Sequence, residues 1–191
     1  MNILGISGSL RASSTNTAIL RAVATLAPEN MRVILYNGLA ELPHFSPELD
    51  GDNAHASVQT LREQLQAADG VLFCTPEYAY GIPGSLKNAL DWTVSSGEFV
   101  DKPVAVISAS PSTTGGDKAQ ASLLLTLSAL SAHVVEGGTL LIPQVRTKMN
   151  ASGEVTDAKT RQELRAVLDT LWTPNVIHHT LIPTAFKNES R

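Results

Sequence analysis

Five short apolar runs alternate along the chain with five stretches of helical spacing, and that alternation limits the fold more than any other feature. The runs contain Ile3, Leu4 and Ile6, then Met31 to Tyr36, Gly70 to Pro76, Lys102 to Ser110, and His133 to Pro143 with a bend expected at Gly137-Gly138. Between and after them lie helical stripes: Ala18, Ile19, Ala22, Val23 and Leu26; Val58, Leu61, Leu65 and Ala68; Leu86, Ala89, Leu90 and Val94; Leu123, Leu124, Leu127 and Leu130; Leu164, Val167, Leu168 and Leu171. The strand runs are apolar throughout, so both sheet faces are covered, as in a parallel sheet. Right-handed crossovers leave few topologies. The expected fold is an α/β three-layer sandwich, a doubly wound five-stranded parallel sheet with helices on both faces. Residues 1–172 read as one domain and 173–191 as a C-terminal tail of no legible role.

Composition removes several classes of function. The chain has 191 residues, enough for a full core, and a net charge of −4 with no basic stripe, which argues against a nucleic-acid partner. No apolar run reaches membrane-spanning length, and "MNILGISGS" lacks the charged start and long apolar stretch of a secretory signal. One cysteine, Cys74, excludes an internal disulfide and a multi-cysteine metal site. A cytoplasmic protein is expected, with no metal site.

In a doubly wound sheet the ligand site lies beyond the carboxyl ends of the strands, near the switch point. Three loops meet there: Ser7–Asn16, Pro76–Gly81 and Ser108–Gly116. The first, "SGSLRASSTN", is neither a dinucleotide fingerprint nor a P-loop, since G-x-G-x-x-G and Gly-Lys-Ser/Thr are both absent. It can still hold an anion. Backbone N–H groups at the helix N-terminus point outward, Ser9, Ser14, Thr15 and Asn16 add neutral donors, and Arg11 adds a charged fork. One cation and no Mg²⁺ ligand suit a monophosphate. Equally, Ser14 or Asn16 can simply cap the helix. The second loop crowds Pro76, Tyr78, Tyr80, Gly81, Pro83 and Gly84 into nine residues. It is either a stiff connection or a surface for the edge of a planar heterocycle.

"GSLRASSTN" together with "PEYAYGIPGSLKNALDW" resembles the NADPH-dependent FMN reductase family, which includes quinone, chromate and azo-dye reductases on a flavodoxin-like fold. The family's first loop, G-S-x-R-x-x-S-x-N, matches Gly8, Ser9, Arg11, Ser14 and Asn16 and implies an FMN phosphate there, with Thr17 beside it. Its second, P-E-Y-x-x-[SG]-x-P-G-x-L-K-N-x-[IL]-D-W, matches Pro76, Glu77, Tyr78, Gly81, Pro83, Gly84, Leu86, Lys87, Asn88, Leu90, Asp91 and Trp92, and implies an isoalloxazine along Glu77–Gly81, with Tyr80 at its rim. "ASPSTTGG" matches the family's A-S-P-x-x-x-G-G and puts Ser110 and Gly115 at the flavin's border. Ser112 stands where a Gly is common and Lys118 where an Arg is common.

The resemblance implies FMN as cofactor, NADPH or NADH as hydride donor, and an acceptor such as FMN, a quinone or another small oxidant. Flavin carries that chemistry, so no side chain is expected to be catalytic. Lys118 is a candidate for the NADPH 2′-phosphate. A homodimer or homotetramer is expected, with Trp92, off the stripe of Leu86, Leu90 and Val94, facing a partner subunit. Two alternatives remain open at this level: an FMN-binding electron carrier without an NAD(P)H site, and a binding or regulatory protein that kept the fold without flavin. Cys74 reads as a small core residue, His44 as loop surface or a subunit contact, and His178-His179 as tail residues with at most a metal-binding role.

Overall fold

The computed structural model describes residues 1–51 and 54–178. The strands are β1 (Asn2–Ser7), β2 (Arg32–Tyr36), β3 (Gly70–Thr75), β4 (Pro103–Ala109) and β5 (His133–Ile142). They pair in parallel throughout, in the order β2-β1-β3-β4-β5. The helices are α1 (Thr15–Leu26), α2 (Ala56–Ala67), α3 (Gly84–Asp91), α4 (Asp117–Ala129) and α5 (Ala158–His178). The sandwich and its five-strand sheet are as the alternation predicts.

Strand side chains alternate between two cores. Ile3, Leu72, Cys74, Ala105 and Ile107 pack under α1 and α5, against Ile19, Leu20, Val23, Leu164, Val167, Leu168 and Leu171. Leu4, Ile6, Val71, Phe73, Val104 and Val106 pack under α2, α3 and α4, against Leu61, Leu65, Leu86, Leu90, Leu123 and Leu127. Every residue of β3 is buried, which is why its run carries no polar alternation.

The expected bend in β5 is present. Val104 pairs with Val134, but Val106 pairs with Thr139, so β5 spends extra residues against β4. Gly137 takes φ 74° there, a left-handed conformation that glycine adopts without steric cost.

Two boundaries differ from expectation. Helix α3 stops at Asp91, short of Val94, which is 64% exposed. Helix α5 continues past residue 172 to His178. His179 and the rest of the expected tail lie outside the described residues.

The sheet order reverses direction at β1, with β2 on one side and β3 on the other. The loops after β1, β3 and β4 therefore share one edge of the sheet, at the switch point.

Candidate functional site

The three loops are bonded to one another. The Gly8 N–H donates to the Cys74 carbonyl at 2.9 Å, and a Cβ at Gly8 would stand 2.5 Å from Thr75 Oγ1, so only glycine permits this approach. Ser108 Oγ lies 3.2 Å from the Thr75 carbonyl and 3.0 Å from the Gly116 carbonyl, joining the second and third loops. Asn16 donates through Nδ2 to the Ala109 carbonyl at 3.3 Å. Its Oδ1 accepts from the Cys74 thiol at 3.2 Å. Asn16 is thus a buried tie between α1, β3 and β4, with its side chain turned inward. Cys74 is fully buried, and burial pushes its thiol pKa up. It has the inert core role expected of it.

In the first loop, Ser14 caps α1, its Oγ accepting from the Thr17 N–H at 3.2 Å. Thr17 Oγ1 donates to Ser7 Oγ at 2.8 Å. Ser7 Oγ also accepts from the Ser9 N–H at 3.3 Å, and Ser9 Oγ from the Arg11 N–H at 3.4 Å. These hydroxyls fold the loop into a compact turn. Arg11 itself is exposed. The loop contains no acidic residue, and the N–H groups of Thr15 and Asn16 belong to the first turn, which a helix cannot pair internally. A cavity of about 160 Å³ opens beside the loop, lined by Ser7, Ser9, Leu10, Thr17 and Asn37 among others. A cavity of about 540 Å³ lies against β2 and α2 instead, lined by Ile34, Gln64 and Ala67 among others, and none of the expected site residues reaches it.

The second loop is a tight hairpin turn. Tyr78 and Gly81 exchange both backbone hydrogen bonds at 3.0 Å, and the central residues Ala79 and Tyr80 take φ 49° and 61°. Two positive φ angles make this a type I′ turn, which normally uses Asn-Gly. Holding Ala and Tyr in that conformation costs about 1–2 kcal/mol each. The turn projects its aromatics outward, Tyr78 48% and Tyr80 81% exposed. Such strain persists only where surrounding structure over-determines it, and it concentrates at functional sites.

Glu77 has a side-chain role that its place in the motif does not show. Its Oε2 accepts from the Lys118 N–H at 2.9 Å and the Ala119 N–H at 3.1 Å, at the start of α4. Its side chain is therefore committed to the protein, leaving its backbone for a ligand. Pro76 accepts at its carbonyl from Thr75 Oγ1 at 3.0 Å. In the third loop, the Ser110 N–H donates to the Ile142 carbonyl at 3.2 Å, and the Ser110 carbonyl accepts from the Val145 N–H at 3.1 Å. Gly115 has φ 70°, and a Cβ there would meet the Pro143 nitrogen at 3.0 Å.

The motif's helical half does other work. Asn88 Nδ2 and Trp92 Nε1 both donate to the Pro43 carbonyl at 2.9 Å, and Asn88 Oδ1 accepts from the Phe45 N–H at 2.8 Å. Trp92 is fully buried, edge-on to Phe45 with ring centroids 5.1 Å apart. The expectation that Trp92 faces a partner subunit is therefore corrected. It left the stripe of α3 because α3 has ended, and the turn after it drives the indole under the 43–45 segment. Lys87 and Asp91 pair at 2.6 Å on the exposed side of α3. His44 is exposed loop surface.

Comparison with known proteins places the chain in a family. The family model for NADPH-dependent FMN reductase matches residues 1–147. The chain belongs to that family. It is 35% identical over 173 residues to an NAD(P)H-dependent FMN reductase of Pseudomonas aeruginosa, covering 90% of this chain and 93% of that one. It is 32% identical to a quinone reductase of Escherichia coli strain K12, covering 88% of this chain and 92% of that one. Among solved structures, a flavoenzyme NAD(P)H:(acceptor) oxidoreductase from Paracoccus denitrificans superposes with a TM-score of 0.80 at 32% identity, covering 89% of this chain and 94% of that one. Membership makes the chain an oxidoreductase with FMN as cofactor and NAD(P)H as co-substrate, on the flavodoxin-like fold. It decides against the electron-carrier and flavin-free alternatives. Among the described residues, no helix is long and apolar enough to cross a membrane.

Proposed function

We propose that this reductase holds the FMN phosphate in the turn before α1 and the flavin ring between the Tyr78–Gly81 turn and the Ser110–Gly116 loop, and reduces a quinone, FMN or another small oxidant. The observation that carries this reading is the unequal state of two helix N-termini at the same sheet edge. Helix α4 already has a carboxylate on its first-turn N–H groups. Helix α1 has none, and Arg11 stands beside it with no carboxylate partner among the described residues.

The donor set fits a phosphate monoester: the Thr15 and Asn16 N–H groups, the Ser9 and Ser14 hydroxyls, and one guanidinium, while the Thr17 hydroxyl supports the turn from Ser7. The buried carboxamide of Asn16 contributes by fixing α1 against β4 rather than by direct contact. On the ring side, the Glu77–Gly81 stretch offers the heterocycle's edge the backbone groups of Glu77, Ala79 and Tyr80, Tyr78 and Gly81 being paired with each other, and Ser110 and Gly115 bound the other side. When bound, the flavin supplies the transfer of two electrons from NAD(P)H to the acceptor. The exposed Tyr80 leaves that side of the site open to a second ring. Lys118, 62% exposed and 3.4 Å from Asp117, is the cation available to a 2′-phosphate.

The setting is cytoplasmic in this reading, and the molecule is a homodimer or homotetramer. Trp92 is buried within the subunit, and Val94 and Val100, close to it in the chain, are among the exposed apolar side chains offered to a partner copy.

The test is Arg11→Ala. It weakens FMN binding by about 1.5–3 kcal/mol, the range for a hydrogen bond to a charged group, and leaves riboflavin nearly unaffected. Equal losses for the two ligands place Arg11 away from the phosphate and overturn the assignment.

A further inference from the structure

We propose that Glu77 is a positioning residue whose carboxylate caps α4 from another loop and so latches the Tyr78–Gly81 turn to the Gly115–Gly116 loop. The proposal rests on the reading that the flavin ring lies between those two loops.

The argument begins at Gly116. It is the N-cap of α4, with φ 86° and no side chain to cap with. A Cβ at that position would meet Ser108 Oγ, and it would also stand 3.4 Å from Glu77 Cβ. Ser108 Oγ in turn bridges the Thr75 and Gly116 carbonyls. The close approach of the two loops therefore demands glycine at the N-cap. Glycine leaves unsatisfied the N–H groups that a Ser or Asp cap would take, those of the second and third helical residues. Those residues are Lys118 and Ala119, the two whose N–H groups Glu77 Oε2 accepts, from 41 and 42 positions upstream. A carboxylate is also the favoured partner for the positive end of the helix dipole.

A cap from within the helix would stabilise α4 alone. A cap from Glu77 ties α4 to a turn whose central residues already sit in left-handed conformations. The turn directly follows Glu77, so the carboxylate fixes where Tyr78 and Tyr80 stand relative to Ser110 and Gly115. Two loops held as one body lose less freedom when a ring is inserted between them, and that saving appears as affinity.

Two measurements test this. Amide hydrogen exchange on the flavin-free protein reads the cap itself, and quenching of flavin fluorescence reads its effect on binding. Glu77→Ala is expected to speed exchange at Lys118 and Ala119 at least tenfold. It should raise the dissociation constants of FMN and riboflavin alike by about tenfold, the size of one lost cap. The equal loss separates the latch from Arg11, which acts on the phosphate alone. Glu77→Gln keeps an acceptor oxygen at the same reach and should restore binding to within about threefold of the wild type. Glu77→Ala with unchanged exchange at Lys118 and Ala119, or with flavin affinity within twofold of wild type, overturns the latch. Glu77→Gln that binds as weakly as Glu77→Ala overturns it too, since charge rather than position would then be at work. If Glu77→Ala does not fold, the exchange rates of Glu77→Gln decide: protection at both amides supports the latch and its loss refutes it. Failure of the wild type to take up either flavin would sink the functional reading, while the exchange arm still tests the cap.

Discussion

Helices α1 and α4 both begin at the carboxyl edge of the sheet, each just after a strand, yet their N-termini are opposites. Helix α1 has a side-chain cap of its own in Ser14, a loop free of acidic residues and an exposed arginine. Helix α4 has a bare glycine cap, and Glu77 of another loop closes it. The difference teaches that a helix N-terminus is left available to an anion only where the protein has withheld its own carboxylate. The dipole is similar at both ends; what is vacant differs.

Making α1 resemble α4 should have the largest effect. Ser14→Asp keeps a good cap, so the flavin-free protein should melt within about 0.5 kcal/mol of the wild type. The new carboxylate would oppose the phosphate, costing FMN about 4 kcal/mol at a separation near 4 Å, with riboflavin little affected. Titration with both ligands checks this, and retention of FMN affinity would move the phosphate away from α1.

Disturbing α4 comes next. Gly116→Ala imposes a side chain on a left-handed residue packed against Ser108, and should destabilise the protein by about 2–3 kcal/mol in urea unfolding. A smaller loss would mean that the two loops can separate cheaply, weakening the contrast between the helices.

Ser14→Ala sharpens the α1 side. Loss of the cap should cost about 1 kcal/mol of stability. If the flavin-free protein loses that much and FMN affinity is unchanged, Ser14 is a cap only and the Thr15 and Asn16 N–H groups carry the phosphate.

The smallest effect is expected at Lys118, whose backbone is bound by Glu77 while its amine stays exposed. Lys118→Ala should raise the KM for NADPH by no more than about 1 kcal/mol equivalent, as for an exposed ion pair, and leave that for NADH unchanged. Equal changes for the two nucleotides in steady-state kinetics would remove Lys118 from 2′-phosphate recognition.

The fold was legible in the chain because its signals are local. A fully buried strand such as Gly70–Thr75 must be apolar along its whole length, and a helix packed on one side must carry a stripe such as Leu164, Val167, Leu168 and Leu171. The meeting of the three loops followed in turn, since strand order and right-handed crossovers bring them to one edge. Arg11, Ser14 and the Tyr78–Gly81 turn stood out by residue type alone.

What each of those side chains touches was decided only in three dimensions. Nothing local distinguishes Glu77, a carboxylate beside a tyrosine, from a ligand-facing acid; its partners are backbone groups 41 and 42 residues away. The one trace it leaves is a Gly-Gly pair before a helix that lacks a Ser, Thr, Asp or Asn cap. Asn16 read as a phosphate donor and turned inward to Ala109 and Cys74. Trp92 read as outward-facing and turned under Phe45, because periodicity places a side chain only while the helix lasts, and α3 ends at Asp91. Sequence determined which elements form and which loops meet, since burial and hydrogen bonding within a strand or helix depend on near neighbours. Tertiary structure decided which polar groups were already spent and which were left for a ligand, because a hydrogen bond between loops depends on contacts that no spacing along the chain encodes.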